Sequence, residues 1–363
     1  MNDLGSAPLS PGHPNGRETL TVAYNPGRPD ERTHHAPSCG PFQSCDRVRR
    51  GQGYAHILPS GESLTAPNTL ASARRLLRRE HKRNAKLGLG PLLVICEATG
   101  GYESSVLATA CELKLACHRA HGSSVRAYAK FRGRHAKSDP IDGCLIAEYG
   151  RDKPDLRLYA PPRPEQAALR ELMGRRAELQ TMIGAEQGRL EHAALKAVRQ
   201  SLEKHLRMLE KELLAIEKEI KALARRDEAL SRHAELMQTL CGVGSVTALT
   251  LLAFMPELGS IPAATAVALA GLAPYDRDSG KERGRRRIFA GRAQVRSCLF
   301  MAARAAIRRH EVFRSFAERL TKKGKPYKVV VTAVMRKLIV ILSAMLKAGE
   351  PWKHAEIACA TTR

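Results

Sequence analysis

Aromatic side chains are scarce in this chain: eight tyrosines, seven phenylalanines and one tryptophan, 4 % of 363 residues. That scarcity argues against single-strand recognition through a row of stacked bases. No stretch reads as the ~18 consecutive apolar residues of a membrane-spanning helix. The N-terminus lacks the charged-then-apolar pattern of a signal peptide, so the reading is a cytoplasmic protein with no membrane partner. A disulfide framework is missing as well. The nine cysteines are scattered and odd in number, as expected of reduced, mostly buried thiols. His34, His35, Cys39 and Cys45 lie close in sequence but match no standard zinc spacing.

Negative charge is also in deficit. Sixty lysines and arginines stand against 36 aspartates and glutamates, a formal charge of +24. An excess of that size points to a polyanionic partner, and nucleic acid is the first candidate. The length suffices for two or three domains with a sizeable core.

The patterning predicts an α/β domain followed by all-α regions. Residues 1–50 hold seven of the twenty prolines and little apolar periodicity. They read as a disordered or aberrant N-terminal region that contributes little to the fold, although Glu18–Tyr24 alternates as a strand does. Residues 51–155 alternate strands and helices. A hairpin turns at Pro59-Ser60-Gly61-Glu62, a basic amphipathic helix covers 70–87, and a buried apolar strand runs from Leu92 to Cys96 and ends at Glu97. A helix follows over 102–115, then a strand over 116–120 and a helix from Asp139 to Tyr149. Residues 163–232 are helical in composition. Leu202, Leu206, Leu209, Leu213, Ile216, Ile220 and Leu223 repeat with the 4-3 spacing of a coiled-coil seam, which either folds back as a hairpin or pairs between subunits. Residues 236–352 form a helical C-terminal region, with long helices over 292–309 and 326–347.

Three carboxylates stand out in the α/β region. Asp139 and Asp142, in Lys137-Ser-Asp-Pro-Ile-Asp142, are three apart and share a helix face. Taken alone, Asp139 fits an N-cap and Pro140 the first helical position, with Asp142 solvated. Glu97 ends a buried strand, where α/β folds place reactive groups. The three together suit a hard cation such as Mg²⁺, and their order resembles a ribonuclease-H-like, resolvase-type domain that attacks phosphodiesters with divalent metal. Farther on, Gly242 and Gly244 in Leu240-Cys-Gly-Val-Gly-Ser245 resemble a helix-hairpin-helix turn, in which backbone N–H groups approach a phosphate. A plain helix-breaking turn fits nearly as well. Ser279 is followed by Lys281, Arg283, Arg285, Arg286, Arg287 and Arg292. Cationic donors of this kind activate a hydroxyl toward phosphate and absorb charge on its oxygens. Spacing alone favours a surface loop whose charges touch nucleic-acid backbone.

The set formed by Val94-Ile-Cys-Glu97-Ala-Thr-Gly-Gly-Tyr102, Lys137–Asp142, Gly242-Val-Gly244, Gly271-Leu-Ala-Pro274 and Ser279-Gly280 resembles the DEDD transposases of the insertion sequence 110 family, over about residues 54–352. The resemblance implies a resolvase-like metal domain, a coiled-coil linker and a helical C-terminal transposase domain. It implies Mg²⁺ or Mn²⁺ on Glu97, Asp139 and Asp142, and Ser279 as a nucleophile linked covalently to DNA. It further implies a structured guide RNA and a homo-oligomer, dimer or tetramer, with composite sites. A fourth acid, an aspartate on the first strand in a segment like Gly-Ile-Asp-Val-Ser, is implied near residues 45–50. There this chain reads Ser44-Cys-Asp46-Arg-Val-Arg-Arg-Gly51, too basic for a good buried strand. The alternatives are a metal-dependent nuclease that uses only the carboxylates, and an inactive nucleic-acid-binding relic.

Overall fold

The computed structural model describes residues 21–26, 52–58, 61–88, 91–98, 100–134, 139–153, 155–275 and 286–352. It is mostly helical with a small mixed sheet, and it divides into two compact units, Met1–Pro161 and Pro162–Arg363.

The first unit is built on five strands: β1 (Thr21–Pro26), β2 (Gln52–Leu58), β3 (Glu62–Pro67), β4 (Leu93–Glu97) and β5 (Ala116–Ala120). Their order is β3-β2-β1-β4-β5. β1 runs antiparallel to β2 and parallel to β4, and β4 runs parallel to β5. The central strand therefore comes from the N-terminal region. The expectation that residues 1–50 stand outside the fold is corrected for Thr21–Pro26, which pairs along both of its edges. The short alternating stretch noted at Glu18–Tyr24 is the signal that carries it, and composition over fifty residues obscured it.

Helices cover both faces of the sheet. α1 (Leu70–Leu87) starts at Thr69, whose side chain accepts a hydrogen bond from the Ser72 amide, and stops at Gly88 in the left-handed region, a conformation glycine adopts without strain. Ala73, Leu76, Leu77, Glu80 and Asn84 form its buried stripe. With α2 (Ser104–Glu112) it packs on Ile57, Val94, Cys96 and Cys117. The opposite face carries α3 (Gly122–Phe131) and α4 (Asp139–Asp152), whose Val125, Leu145, Ile146 and Tyr149 pack with Ile95 and Ala120. Sequence reading missed α3. It is short and is capped by His121, which accepts from the Ser123 amide. Burial pushes the Cys96 thiol well up and raises Cys117 to about 12, as expected of reduced core thiols.

The second unit opens with α5 (Pro164–His192) and α6 (Lys196–Arg226), an antiparallel hairpin within one chain. Leu179, Ile183, Leu206 and Leu209 form its seam, so the heptad positions of α6 are spent on α5. Gln166 Nε2 donates to the carbonyls of Leu252 and Ala253 and ties α5 to α8 (Ser245–Phe254). α8 is buried all round from Ala248 to Phe254, as a central core helix must be. About it pack α7 (Glu228–Gln238), α9 (Ala263–Leu269), α10 (Ala293–Arg309), α11 (Glu311–Lys322) and α12 (Tyr327–Ala348). α12 corrects the reading that no stretch matches a spanning helix, because it is long and apolar enough by length and composition. Val330, Val331, Val334, Met335, Leu338, Ile339 and Leu342 on it are buried in the unit's core.

Candidate active site

Glu97 is the last residue of β4 and is half-buried. Strand alternation sends Val94 and Cys96 to the α1/α2 side and Ile95 to the α3/α4 side, so Glu97 faces α3 and α4. Its position confirms this: a Cβ at Gly122, the first residue of α3, would lie 2.5 Å from Glu97 Oε1. Glycine there lets the carboxylate reach the start of a helix, where the dipole favours negative charge. Sequence reasoning did not single out Gly122.

The turn after β4 is fixed by a second acid that sequence reading also passed over. Glu103 is buried; its Oε2 accepts from the Gly101 amide at 2.9 Å, and its Oε1 pairs with Arg119 Nη2 of β5 at 2.6 Å. Gly100 and Gly101 both adopt positive φ in this turn. The pattern Gly-Gly-Tyr-Glu, six residues beyond Glu97, was the available signal.

α4 spans Asp139–Asp152, so Asp139 stands at its first position. Its side chain lies outside the described residues. Asp142 is half-buried on the same helix, and that helix packs across β1, β2 and β4. Two links hold α4 to α3 and to the residues just after it. Tyr128 Oη donates to Asp152 Oδ2 at 2.5 Å, and Glu148 accepts from Arg134 at 3.0 Å. Hydrogen bonds from Arg151 and Tyr128 hold the Asp152 carboxyl below the usual range. Thus Glu97 lies on the face of the sheet covered by the helix bearing Asp139 and Asp142. Among the described residues no three metal-ligating side chains converge. The donor chemistry present, carboxylate oxygen at Glu97 and Asp142, suits a hard cation.

The implied fourth acid is absent from the strand that pairs with β4. The ladder runs from Thr21 beside Leu93 to Tyr24 beside Cys96. None of β1's six residues, Thr21–Pro26, is acidic. Asp46 and the segment near 45–50 lie outside the described residues, among which the first strand is Thr21–Pro26.

In the second unit, Ser279, Lys281, Arg283 and Arg285 lie outside the described residues, but the base of their segment is defined. β6 (Pro274–Tyr275) pairs antiparallel with β7 (Arg287–Ile288). Below them Gly271 and Gly291, both at positive φ, approach so closely that neither has room for a Cβ. The Arg292 amide donates to the Leu269 carbonyl at 2.9 Å, and Arg296 Nη1 donates to the carbonyl of Ala290, whose φ is +59°. Arg286 and Arg287 are exposed. Arg292 is engaged otherwise than the sequence implied: its guanidinium donates to the Phe254 carbonyl and to Glu257 Oε1, which makes it a brace between α8 and α10.

The two hairpin glycines also differ. A Cβ at Gly242 would sit 2.5 Å from the Ala302 carbonyl oxygen and 2.8 Å from the Ala306 amide, at φ +92°. Gly242 is therefore required by close packing on α10. Gly244 has φ −93°, lies at the start of α8 and has open space where a Cβ would stand. Gly242→Val should destabilise the second unit by about 2–6 kcal/mol, from backbone strain plus overpacking, whereas Gly244→Ala should leave its thermal midpoint within a degree or two. Equal midpoints for the two variants would refute the packing role.

Two family models match this chain, and both describe transposases, so the chain is a transposase, an enzyme of DNA recombination. It belongs to the IS110 family: the model for DEDD-type transposases of that family matches residues 57–199, and the model for transposases of the IS116/IS110/IS902 family matches residues 234–318. The chain is also similar to the pilin gene-inverting proteins of Moraxella lacunata and Moraxella bovis. In each case it is 29 % identical over 265 residues, 72 % of this chain and 82 % of the relative.

Proposed function

We propose that this transposase cleaves and rejoins DNA with Ser279 as nucleophile and with Glu97, Asp139 and Asp142 as ligands of Mg²⁺ or Mn²⁺. The observation that carries the reading is Glu97 at the end of a parallel strand, facing the helical layer that contains α4. The strand order β3-β2-β1-β4-β5 supports a ribonuclease-H-like, resolvase-like fold for the first unit. A bound divalent cation would supply charge stabilisation for the phosphoryl oxygens. Glu97 is held in place by β4 and the Gly122 approach, and the α3–α4 links hold the helix of the other two acids. In the chemical step, Ser279 Oγ forms a bond to phosphorus as one P–O ester bond of the DNA breaks. The displaced oxygen leaves as a hydroxyl, the serine proton is transferred to it or to solvent, and rejoining reverses these events. Arg286 and Arg287, with Lys281, Arg283 and Arg285 in sequence, supply forked donors for phosphate. The large positive charge suits a structured guide RNA as well as DNA. The family setting suits a cytoplasmic homo-oligomer.

The test is a covalent adduct. Full-length protein incubated with element-end DNA, the transcript of the element and Mg²⁺ should yield a protein–DNA species stable in denaturant, and Ser279→Ala should yield none. Cleavage by Ser279→Ala at the parental level would sink the serine role and leave a metal-only nuclease.

One observation favours a second reading, an inactive nucleic-acid-binding relic: β1, the strand whose ladder with β4 ends one residue short of Glu97, carries no acidic residue. Steeply salt-dependent DNA binding, with no scission in Mg²⁺ or Mn²⁺, would establish it.

A further inference from the structure

Aromatic residues are too few in this chain for a row of stacked bases, yet two of them are concentrated at one place. Among the described residues of the second unit, the exposed large aromatics are Tyr275 (48 % exposed), Phe289 (71 %) and Tyr327. The first two flank the segment that carries Ser279. Tyr275 lies directly opposite Arg287 in the β6–β7 ladder. Phe289 follows two residues after Arg287, immediately beyond β7. Directly opposed residues have Cβ atoms about 5 Å apart, and diagonal neighbours remain within reach of aromatic rings. This small hairpin thus carries an aromatic ring opposite a guanidinium, with a second exposed ring two residues farther on.

Burial within the unit does not explain the exposed rings, and the charge around them indicates what would cover them. Asp276, Asp278 and Glu282 lie between Tyr275 and Arg283, but from Arg283 to His310 the chain has nine arginines and no carboxylate. Planar apolar rings next to an exposed guanidinium match a nucleotide, with the base stacked on the ring or on the guanidinium plane and the phosphate held by the cations. The support beneath is rigid. The Gly271–Gly291 contact, the Arg296 bond to the Ala290 carbonyl and the Arg292–Glu257 pair fix the backbone from which Phe289 projects. Little ordering entropy is then lost on binding.

We propose that Tyr275, Arg287 and Phe289 form a stacking platform for unpaired bases of the DNA beside the phosphate that Ser279 attacks. The proposal deepens, and rests on, the reading of that segment as the DNA-cleaving one. It implies that the enzyme takes hold of DNA locally opened at the exchange site.

Full-length protein is titrated, at one fixed salt concentration, against three labelled probes of the same sequence: a duplex with a short unpaired patch, the fully paired duplex, and a single-stranded RNA. Tyr275→Ala and Phe289→Ala should each weaken binding to the patched duplex by at least about tenfold and change binding to the paired duplex little. Tyr275→Phe and Phe289→Tyr should keep parental affinity. Both side chains are exposed, so the thermal midpoint should not move. Equal losses on paired and patched DNA, a loss confined to RNA, or a change in oligomer mass in the alanine variants would each overturn the platform. Adduct formation is scored separately. If no adduct forms with Ser279 intact but the patch-specific losses are seen, the cleavage reading fails and the platform stands.

Discussion

Removal of residues 1–50 is expected to abolish the cooperative thermal transition of the first unit. β1 pairs with β2 over six residues, Thr21–Pro26, and with β4 over four, Thr21–Tyr24. Each backbone hydrogen bond contributes roughly 0.5–1.5 kcal/mol net, against a total domain stability of roughly 5–15 kcal/mol. The loss goes beyond those bonds, because β2 and β4 would each present an unpaired edge in the middle of the sheet, and α4 would lose part of the surface on which it packs. Calorimetry of the deletion variant should show the helical transition of the second unit and none for the first. A point variant makes the same argument with less disruption. Ala23→Pro removes a ladder donor from a central strand, where proline is not accommodated, and should lower the first transition strongly. A deletion variant with its midpoint unchanged would show that the sheet holds together without Thr21–Pro26.

Glu97→Gln should lower DNA strand cleavage by more than about a hundredfold while leaving the fold and DNA affinity near parental. Substitutions among the groups that merely orient a metal's ligands typically cost 10–100-fold, so a ligand itself should cost more. Glutamine is the informative replacement because it keeps the volume over Gly122, where a Cβ would lie 2.5 Å from the present carboxylate oxygen. What changes is the charge presented to a hard cation. Circular dichroism and filter binding check the fold and the affinity, and denaturing electrophoresis of labelled DNA checks cleavage. Parental cleavage by Glu97→Gln would remove the carboxylate from the chemistry, whatever the strand order.

How far the sequence could be read follows from how local each signal is. The helix from Leu70 to Leu87 was legible to its ends, because its apolar stripe, Thr69 and Gly88 are all local. β5 and the strand ending at Glu97 were legible for the same reason. α3 was missed because ten residues with one fully buried side chain, Val125, give little periodicity to detect. β1 was nearly discarded because the prolines around it dominate the local composition, and only pairing on both edges makes a six-residue stretch a central strand. The roles of single residues divided similarly. Arg292 reads as one more cation in a basic run, and only the fold brings Glu257 and the Phe254 carbonyl to it. Gly242 and Gly244 look equivalent in Gly-Val-Gly, yet α10 presses on one and not on the other.

By itself, then, the sequence determined the large positive charge that suits a nucleic-acid partner, and the order of the motifs proposed to carry the chemistry, through Glu97, the Asp139–Asp142 pair and Ser279. Those properties are written in residue type and short spacing. Tertiary structure alone decided that β1 stands beside β4, that the α6 seam closes on α5 of the same chain, and that Tyr275 stands opposite Arg287. Each depends on residues distant in sequence meeting across a ladder or a helix pair, and no local pattern encodes which partner they meet.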